Sequence, residues 1–163
     1  MTRLSRELTP EHFETLIDAY QRLLRGLFEG LGARQVQVSG DSVMAAFPAA
    51  KDAALAAVAA QRAVSSGDWP QGVRAAISVG LHSGSAEVGW DGSAAQRCAD
   101  LCDAAEGGQI LMSDETANLL EKEDLGELVV RDLGEQRTRR KQRPVRACEL
   151  VFPAVAEARG DGQ

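Results

Sequence analysis

Residues 35–47 constrain the fold more than any other stretch of this sequence. Gln35 to Ser39 alternates, with Val36 and Val38 on one face, and Ser42 to Phe47 is a second apolar run. Gly40-Asp41 between them suits a tight two-residue turn, so the segment is expected to be a β-hairpin. Helices are expected on both sides of it. Upstream, Phe13, Leu16, Ile17, Tyr20, Leu23, Leu24, Leu27, Phe28 and Leu31 recur at i, i+3, i+4 and i+7, which buries one helical face. Thr9 can cap that helix, Pro10 fits its first position, Glu11 complements the dipole, and Gly32 stops it. Downstream, Pro48 ends the hairpin, and Ala50 to Val64 is a second helix with Leu55, Val58 and Ala59 expected to face inward.

The same alternation of periods continues. Val73 to His82 reads as a strand through Val73, Ala75, Ile77, Val79 and Leu81, and Ser83-Gly84 turns into a strand around Ala86 to Gly89. Ser93 to Ala105 is helical and Gly107-Gly108 breaks it. Gln109 to Met112 is a short strand, and Ser113 caps a helix running to about Lys122. Strands near Leu128 to Leu133 and Val145 to Val151 flank a basic loop. Helices alternating with hairpins imply an α+β arrangement, a mostly antiparallel sheet covered by helices.

Composition narrows the function. At 163 residues the chain fits one domain, expected over residues 1–152, with residues 153–163 a disordered tail. A net charge of −6 argues against nucleic-acid binding, which needs a basic surface. No apolar stretch reaches the roughly 20 residues of a membrane span, and the first residues lack the apolar region of a signal peptide. Three cysteines at unremarkable spacing suggest a reduced, cytoplasmic protein. Richness in Ala, Gly and Arg hints at a GC-rich bacterial genome.

Three stretches carry a family resemblance. The first is Gly40-Asp41-Ser42-Val43-Met44-Ala45-Ala46-Phe47-Pro48 with the alanine-rich helix that comes after it. The second is Val79-Gly80-Leu81-His82-Ser83-Gly84, then Ala95-Gln96-Arg97-Cys98-Ala99-Asp100, then Gly107-Gly108-Gln109-Ile110-Leu111-Met112-Ser113. The third is Arg131-Asp132-Leu133-Gly134-Glu135, closed by Arg143-Pro144-Val145. In this order and spacing the chain resembles the class III adenylate/guanylate cyclase catalytic domain, over about Thr2 to Val151. The resemblance implies a ferredoxin-like nucleotidyl cyclase fold and a site shared between two chains. In that family two aspartates bind two divalent metals, magnesium or manganese. A lysine and a partner residue read the purine, an asparagine orients the ribose, and an arginine stabilises the transition state.

Carried over residue by residue, the reactive pattern is mostly replaced. Asp41 matches the second metal-binding aspartate and is the lone remnant of that site. The first strand with the other aspartate is missing, because Met1-Thr2-Arg3-Leu4 aligns with the segment directly after that strand. Gln37 stands where the purine-reading lysine is expected, Gln96 replaces the asparagine, and Asp100 occupies the position of the arginine. Arg97 matches a commonly basic position and is a candidate phosphate contact, with a surface salt bridge as its plainer reading. The loop between Gly84 and Gln96 looks a few residues short. An acid at position 100 beside a triphosphate meets repulsion of roughly 4 kcal/mol for one close pair at an effective dielectric near 20. Losing a transition-state donor alone costs about a hundred- to a thousandfold in rate.

The leading expectation is therefore a non-catalytic cyclase-homology domain with no cofactor as written. It would form a homodimer, or a heterodimer with another cyclase-type domain, and regulate through the shared cleft. The alternative is an active adenylate or guanylate cyclase making cyclic nucleotide and pyrophosphate, its missing residues supplied upstream or by a partner chain. A nucleotide sensor that binds without turnover is a third reading. Plainer readings apply to single residues. Asp41 serves as a turn residue, His82 as a structural histidine, and Cys98 and Cys102 as packing residues. Arg137, Arg139, Arg140, Lys141 and Arg143 read as a solvated loop, with a triphosphate or an acidic partner as the alternative. The missing strand would leave unpaired sheet edges, filled by another chain or a rearranged segment, unless the chain is a fragment.

Overall fold

The computed structural model describes residues 9–84 and 92–153. Helix α1 spans Pro10–Gly30, with Thr9 as its N-cap accepting from the His12 amide and Pro10 in the first turn. Its buried stripe is Leu16, Tyr20 and Leu24, while Phe13 and Leu31 at its two ends stay 42% and 44% exposed. Strands β1 (Gln35–Ser39) and β2 (Ser42–Ala46) pair antiparallel in the expected hairpin register, Ser39 opposite Ser42. Gly40 takes φ +56°, the left-handed value that a two-residue hairpin turn demands and glycine adopts without steric cost.

Helix α2 (Ala50–Ser66) departs from its expected facing. Its buried residues are Ala54, Ala56, Ala57, Val58, Ala60, Gln61 and Val64, whereas Leu55 is 46% exposed and Ala59 only half-buried. The i, i+3, i+4 spacing of the buried set leaves Leu55 on the outer face, and small alanines let the helix lie close on the sheet.

Strand β3 is short, Val79–Leu81, where a strand from Val73 to His82 was expected. Ala75 and Ile77 are buried as the alternation requires, yet residues 73–78 have no strand pairing. Alternation reports which side is buried, whereas a strand also needs a neighbour to pair with. The expected strand around Ala86 to Gly89 lies outside the described residues, as does the expected tail beyond Pro153. Helix α3 (Ser93–Ala104), strand β4 (Ile110–Met112) and helix α4 (Asp114–Leu120, capped by Ser113) come next. Strands β5 (Val129–Arg137) and β6 (Pro144–Val151) form a longer hairpin than their apolar runs suggested.

The fold is α+β, and the strands of the described residues form two sheets. One is the β1-β2 hairpin and the other has the order β3-β4-β6-β5, parallel between β3 and β4 and antiparallel elsewhere. Among the described residues no strand precedes α1. One core cluster (Ala54, Val58, Ile110, Met112, Leu120, Leu150) lies between α2, α4 and the larger sheet. A second (Leu16, Tyr20, Leu24, Val64, Trp69, Ile77) lies beneath α1, and both include Val79 at their border.

Candidate functional site

Between the two sheets lies a cavity of about 360 Å³. Its walls are β2 from Ser42 to Ala45, β3 with Ile77 and Ser78 before it, α1 through Tyr20, Leu24 and Phe28, and one face of α3. Residues of the loop between β5 and β6, Thr138, Arg140 and Lys141, close one end.

Helix α3 can sit this close because Gly80 has no side chain. A Cβ there would stand 2.4 Å from the Cys98 carbonyl oxygen and 2.6 Å from the Cys102 nitrogen. The contact brings Gln96, Cys98, Asp100 and Cys102 onto the cavity wall.

Asp100 does not face the cavity as a free carboxylate. Arg143 Nη2 donates to its Oδ1 at 2.8 Å and to its Oδ2 at 3.0 Å, and Gln96 Nε2 donates to Oδ1 at 3.0 Å. One turn on, Asp103 Oδ2 accepts from the Arg140 amide at 2.9 Å, with the Arg140 side chain 3.7 Å from Oδ1. The Arg139 guanidinium donates to the Ala105 carbonyl at the end of α3. Buried Thr138 organises this loop, accepting from the Arg143 amide at 3.0 Å. Most of the basic run is exposed, as expected of a solvated loop, but it is not detached from the rest of the fold. Three of its arginines are docked on the acidic edge of α3, an attraction between segments about forty residues apart.

Of the positions carried over from the family's site (Gln37, Asp41, Gln96, Arg97 and Asp100), only Gln96 and Asp100 line the cavity. Gln37 is exposed on β1 opposite Met44, and Asp41 sits half-buried at the hairpin tip. Arg97 points elsewhere and pairs with Glu115, Nη1 to Oε1 at 2.8 Å, with both side chains about half exposed. The geometry is that of a surface ion pair.

His82 is built into the start of α4. Its Nδ1 lies 2.8 Å from the Ser113 hydroxyl, which also caps the helix, and Ser83 and Thr116 extend the network at 2.9 Å. Burial pushes the His82 pKa below its ordinary value, and the neighbouring Arg97 cation pushes the same way. Burial also holds the Cys98 thiol above its ordinary value, while Cys102 donates to the Ser78 carbonyl at 3.3 Å. Both cysteines are free thiols used in packing.

One feature of the wall gave no sequence signal. Ser78 is 6% exposed, lines the cavity, and its Oγ is a buried side-chain atom with no hydrogen-bond partner among the described residues. It occupies the polar phase of an alternating strand pattern, which in the sequence reads as the solvent side. Only the packing of α3 buries it.

The family resemblance implies two divalent cations held by two aspartates, of which Asp41 is the one position matched. Among the described residues, no group of three or more His, Cys, Asp or Glu side chains comes together that could hold a metal ion. No helix in the described residues is long and apolar enough to cross a membrane.

Comparison with solved structures settles the architecture. The catalytic core of a rhodopsin-guanylyl cyclase with converted specificity, solved with ATPαS, superimposes with a TM-score of 0.72. The match covers 92% of both chains at 14% identity. The chain has the fold of the class III adenylate/guanylate cyclase catalytic domain. An adenylate cyclase from Trypanosoma brucei solved in its monomeric state shares this cyclase fold, with a TM-score of 0.69 and 19% identity over 91% of this chain and 85% of that one. An adenylate/guanylate cyclase/hydrolase from Silicibacter pomeroyi shares it too, with a TM-score of 0.61 and 22% identity over 94% of each chain. No protein-family model matches the chain, and no curated protein sequence matches it.

Proposed function

We propose that this chain is a nucleotidyl-cyclase-like domain, spanning residues 1–152, that does not turn nucleotide over. In this reading it acts as a dimerising, regulatory module in cyclic-nucleotide-type signalling, with itself or with another cyclase-type domain. The observation that carries the reading is the Asp100–Arg143 pair. At the position where the family resemblance expects a transition-state arginine, the chain has a carboxylate. The arginine nearest to it is already engaged by that carboxylate. A developing negative charge there meets a carboxylate and an arginine already paired with it, and phosphoryl transfer draws most of its catalysis from preorganised positive charge. Gln37 and Gln96 add neutral amides where a charged purine reader and a ribose-orienting asparagine would stand, and Asp41 is the one family metal-binding aspartate that the sequence matches.

The test is cyclic nucleotide production from ATP and GTP with manganese, using purified chain and an Asp41→Ala control. Equal background from both supports an interaction module. Product that vanishes in the control sinks the reading and makes the chain a working cyclase that draws its other groups from a partner.

A further inference from the structure

His82 follows β3 directly and lies at the joint between the starts of α3 and α4. Its Nδ1 edge faces α4, 2.8 Å from the Ser113 hydroxyl. Its Nε2 edge faces α3 across Gly84, where a Cβ would stand 3.4 Å from Nε2 and 3.5 Å from the Ala94 Cβ. The first turn of α3 is a poor neighbour for a cation. Its N-cap is Gly92, which has no side-chain oxygen, and the turn holds no acidic residue. The partial positive charge of that helix start therefore has no compensation from its own side chains.

The charged and titratable groups that face the ring come from both helices. Burial disfavours the charged ring most, the Arg97 cation on α3 adds to this, and the Glu115 carboxylate on α4 opposes both. The Cys98 thiol, beside the His82 main chain, is held protonated by burial. Asp114 is engaged elsewhere, by Arg146 at 2.7 Å and by the Cys148 thiol. Glu115 is itself held by Arg97 at 2.8 Å, an ion pair that ties α3 to α4. Hydrogen bonding adapts to either state of the ring. A protonated ring donates from Nδ1, and Ser113 Oγ can accept while giving its own proton to Thr116 Oγ1 at 3.2 Å, with Ser83 beyond at 2.9 Å. The cost of protonation therefore falls on charge.

We propose that His82 is a proton-operated latch between α3 and α4: the neutral ring lets the two helix starts stay together, and its protonation loosens the first turn of α3. The imidazolium meets the α3 start and Arg97, which repel it, and competes with Arg97 for Glu115, the carboxylate that ties the helices. Helix α3 carries Gln96 and Asp100 on the cavity wall, so mild acidity reshapes that wall while α2 stays in place. Linkage fixes the direction. Opening returns the ring to water and to its ordinary proton affinity, so protons favour the open joint as pH falls below about 6.5. The inference concerns this joint and holds whether or not the chain turns nucleotide over.

The test is amide exchange of the full chain at pH 7.5 and 5.5, corrected for the intrinsic rate, beside an NMR titration of the His82 ring. The probes are the Gln96 amide, bonded to the Gly92 carbonyl, and the Ala117 amide, bonded to the Ser113 carbonyl. Acidification should speed their exchange about threefold or more, while the amides of Val58 and Gln61 in α2 stay unchanged. His82→Gln is neutral at both pH values and should remove the rise, whereas His12→Gln, on α1, should leave it. Arg97→Gln takes away the repelling cation and frees Glu115, so it should raise the titration midpoint of His82 and shrink the rise. A merely structural histidine would not respond to that exposed substitution. Three outcomes overturn the inference: the same rise in His82→Gln, an equal rise in α2, or a midpoint that Arg97→Gln leaves unmoved or lowers. None of them changes the cyclase assay, so the two readings fail separately.

Discussion

Arg143, the last residue before β6, grips Asp100 on α3 with a single terminal nitrogen, Nη2, held between both carboxylate oxygens at 2.8 and 3.0 Å. The contact joins residues 43 positions apart and fixes the β5–β6 loop against the wall of the cavity. Its energetic value is modest, because the Arg143 side chain is 48% exposed and solvent screens the pair. A double-mutant cycle with Asp100→Asn and Arg143→Gln should give a coupling of about 0.5–1 kcal/mol in chemical denaturation. A coupling near zero would mean that Thr138 and Arg139 hold the loop without it.

Restoring two groups should not restore catalysis. Asp100→Arg combined with Gln96→Asn returns two family residue types but leaves Asp41 without a second metal-binding carboxylate. Cyclic nucleotide formation with manganese should stay at the background of the unmodified chain. Measurable product from this double variant would show that the metal site is completed elsewhere.

The approach of α3 to β3 depends on Gly80. Gly80→Ala would push a methyl group into the α3 backbone at Cys98 and Cys102, and neither atom belongs to a flexible side chain that could swing away. The expected cost is about 3 kcal/mol, the upper part of the usual range for overpacking a close contact. Thermal unfolding is the measurement, and a change of less than about 1 kcal/mol would show that α3 slides without penalty.

His82 and Ser113 give a pH prediction. Because burial lowers the His82 pKa, the folded chain binds fewer protons than the unfolded chain as pH falls through about 6.5. Stability is therefore unaffected by this group above that pH and declines below it. His82→Gln keeps a hydrogen-bonding partner for Ser113 and should flatten the decline between pH 7.5 and 5.5, read as urea midpoints. An unchanged slope would exclude His82 as its source. Ser113→Ala removes the α4 cap and should cost about 1–2 kcal/mol at either pH.

Cys98 should alkylate with iodoacetamide more slowly than free cysteine at pH 8, since burial holds its thiol protonated. Labelling as fast as a free thiol would place the residue in an accessible setting.

The sequence by itself determined those features that a few neighbouring residues can settle. Thr9 and Pro10 set the start of α1, Gly40-Asp41 the hairpin turn, and Ser113 the cap of α4, because caps and turns satisfy main-chain groups within three or four residues. The motifs around Gly40, Gly80 and Gly134 likewise led to the correct fold. Tertiary structure decided the rest. Leu55 was expected inside, but the alanine face of α2 met the sheet. The strand from Val73 shrank to Val79–Leu81, because pairing needs a neighbour as well as alternation. The basic loop found Asp100 and Asp103, and Ser78 became a buried hydroxyl, only once α3 lay on Gly80. In each case the deciding partner is distant in sequence, and local pattern carries no record of which distant surface will arrive.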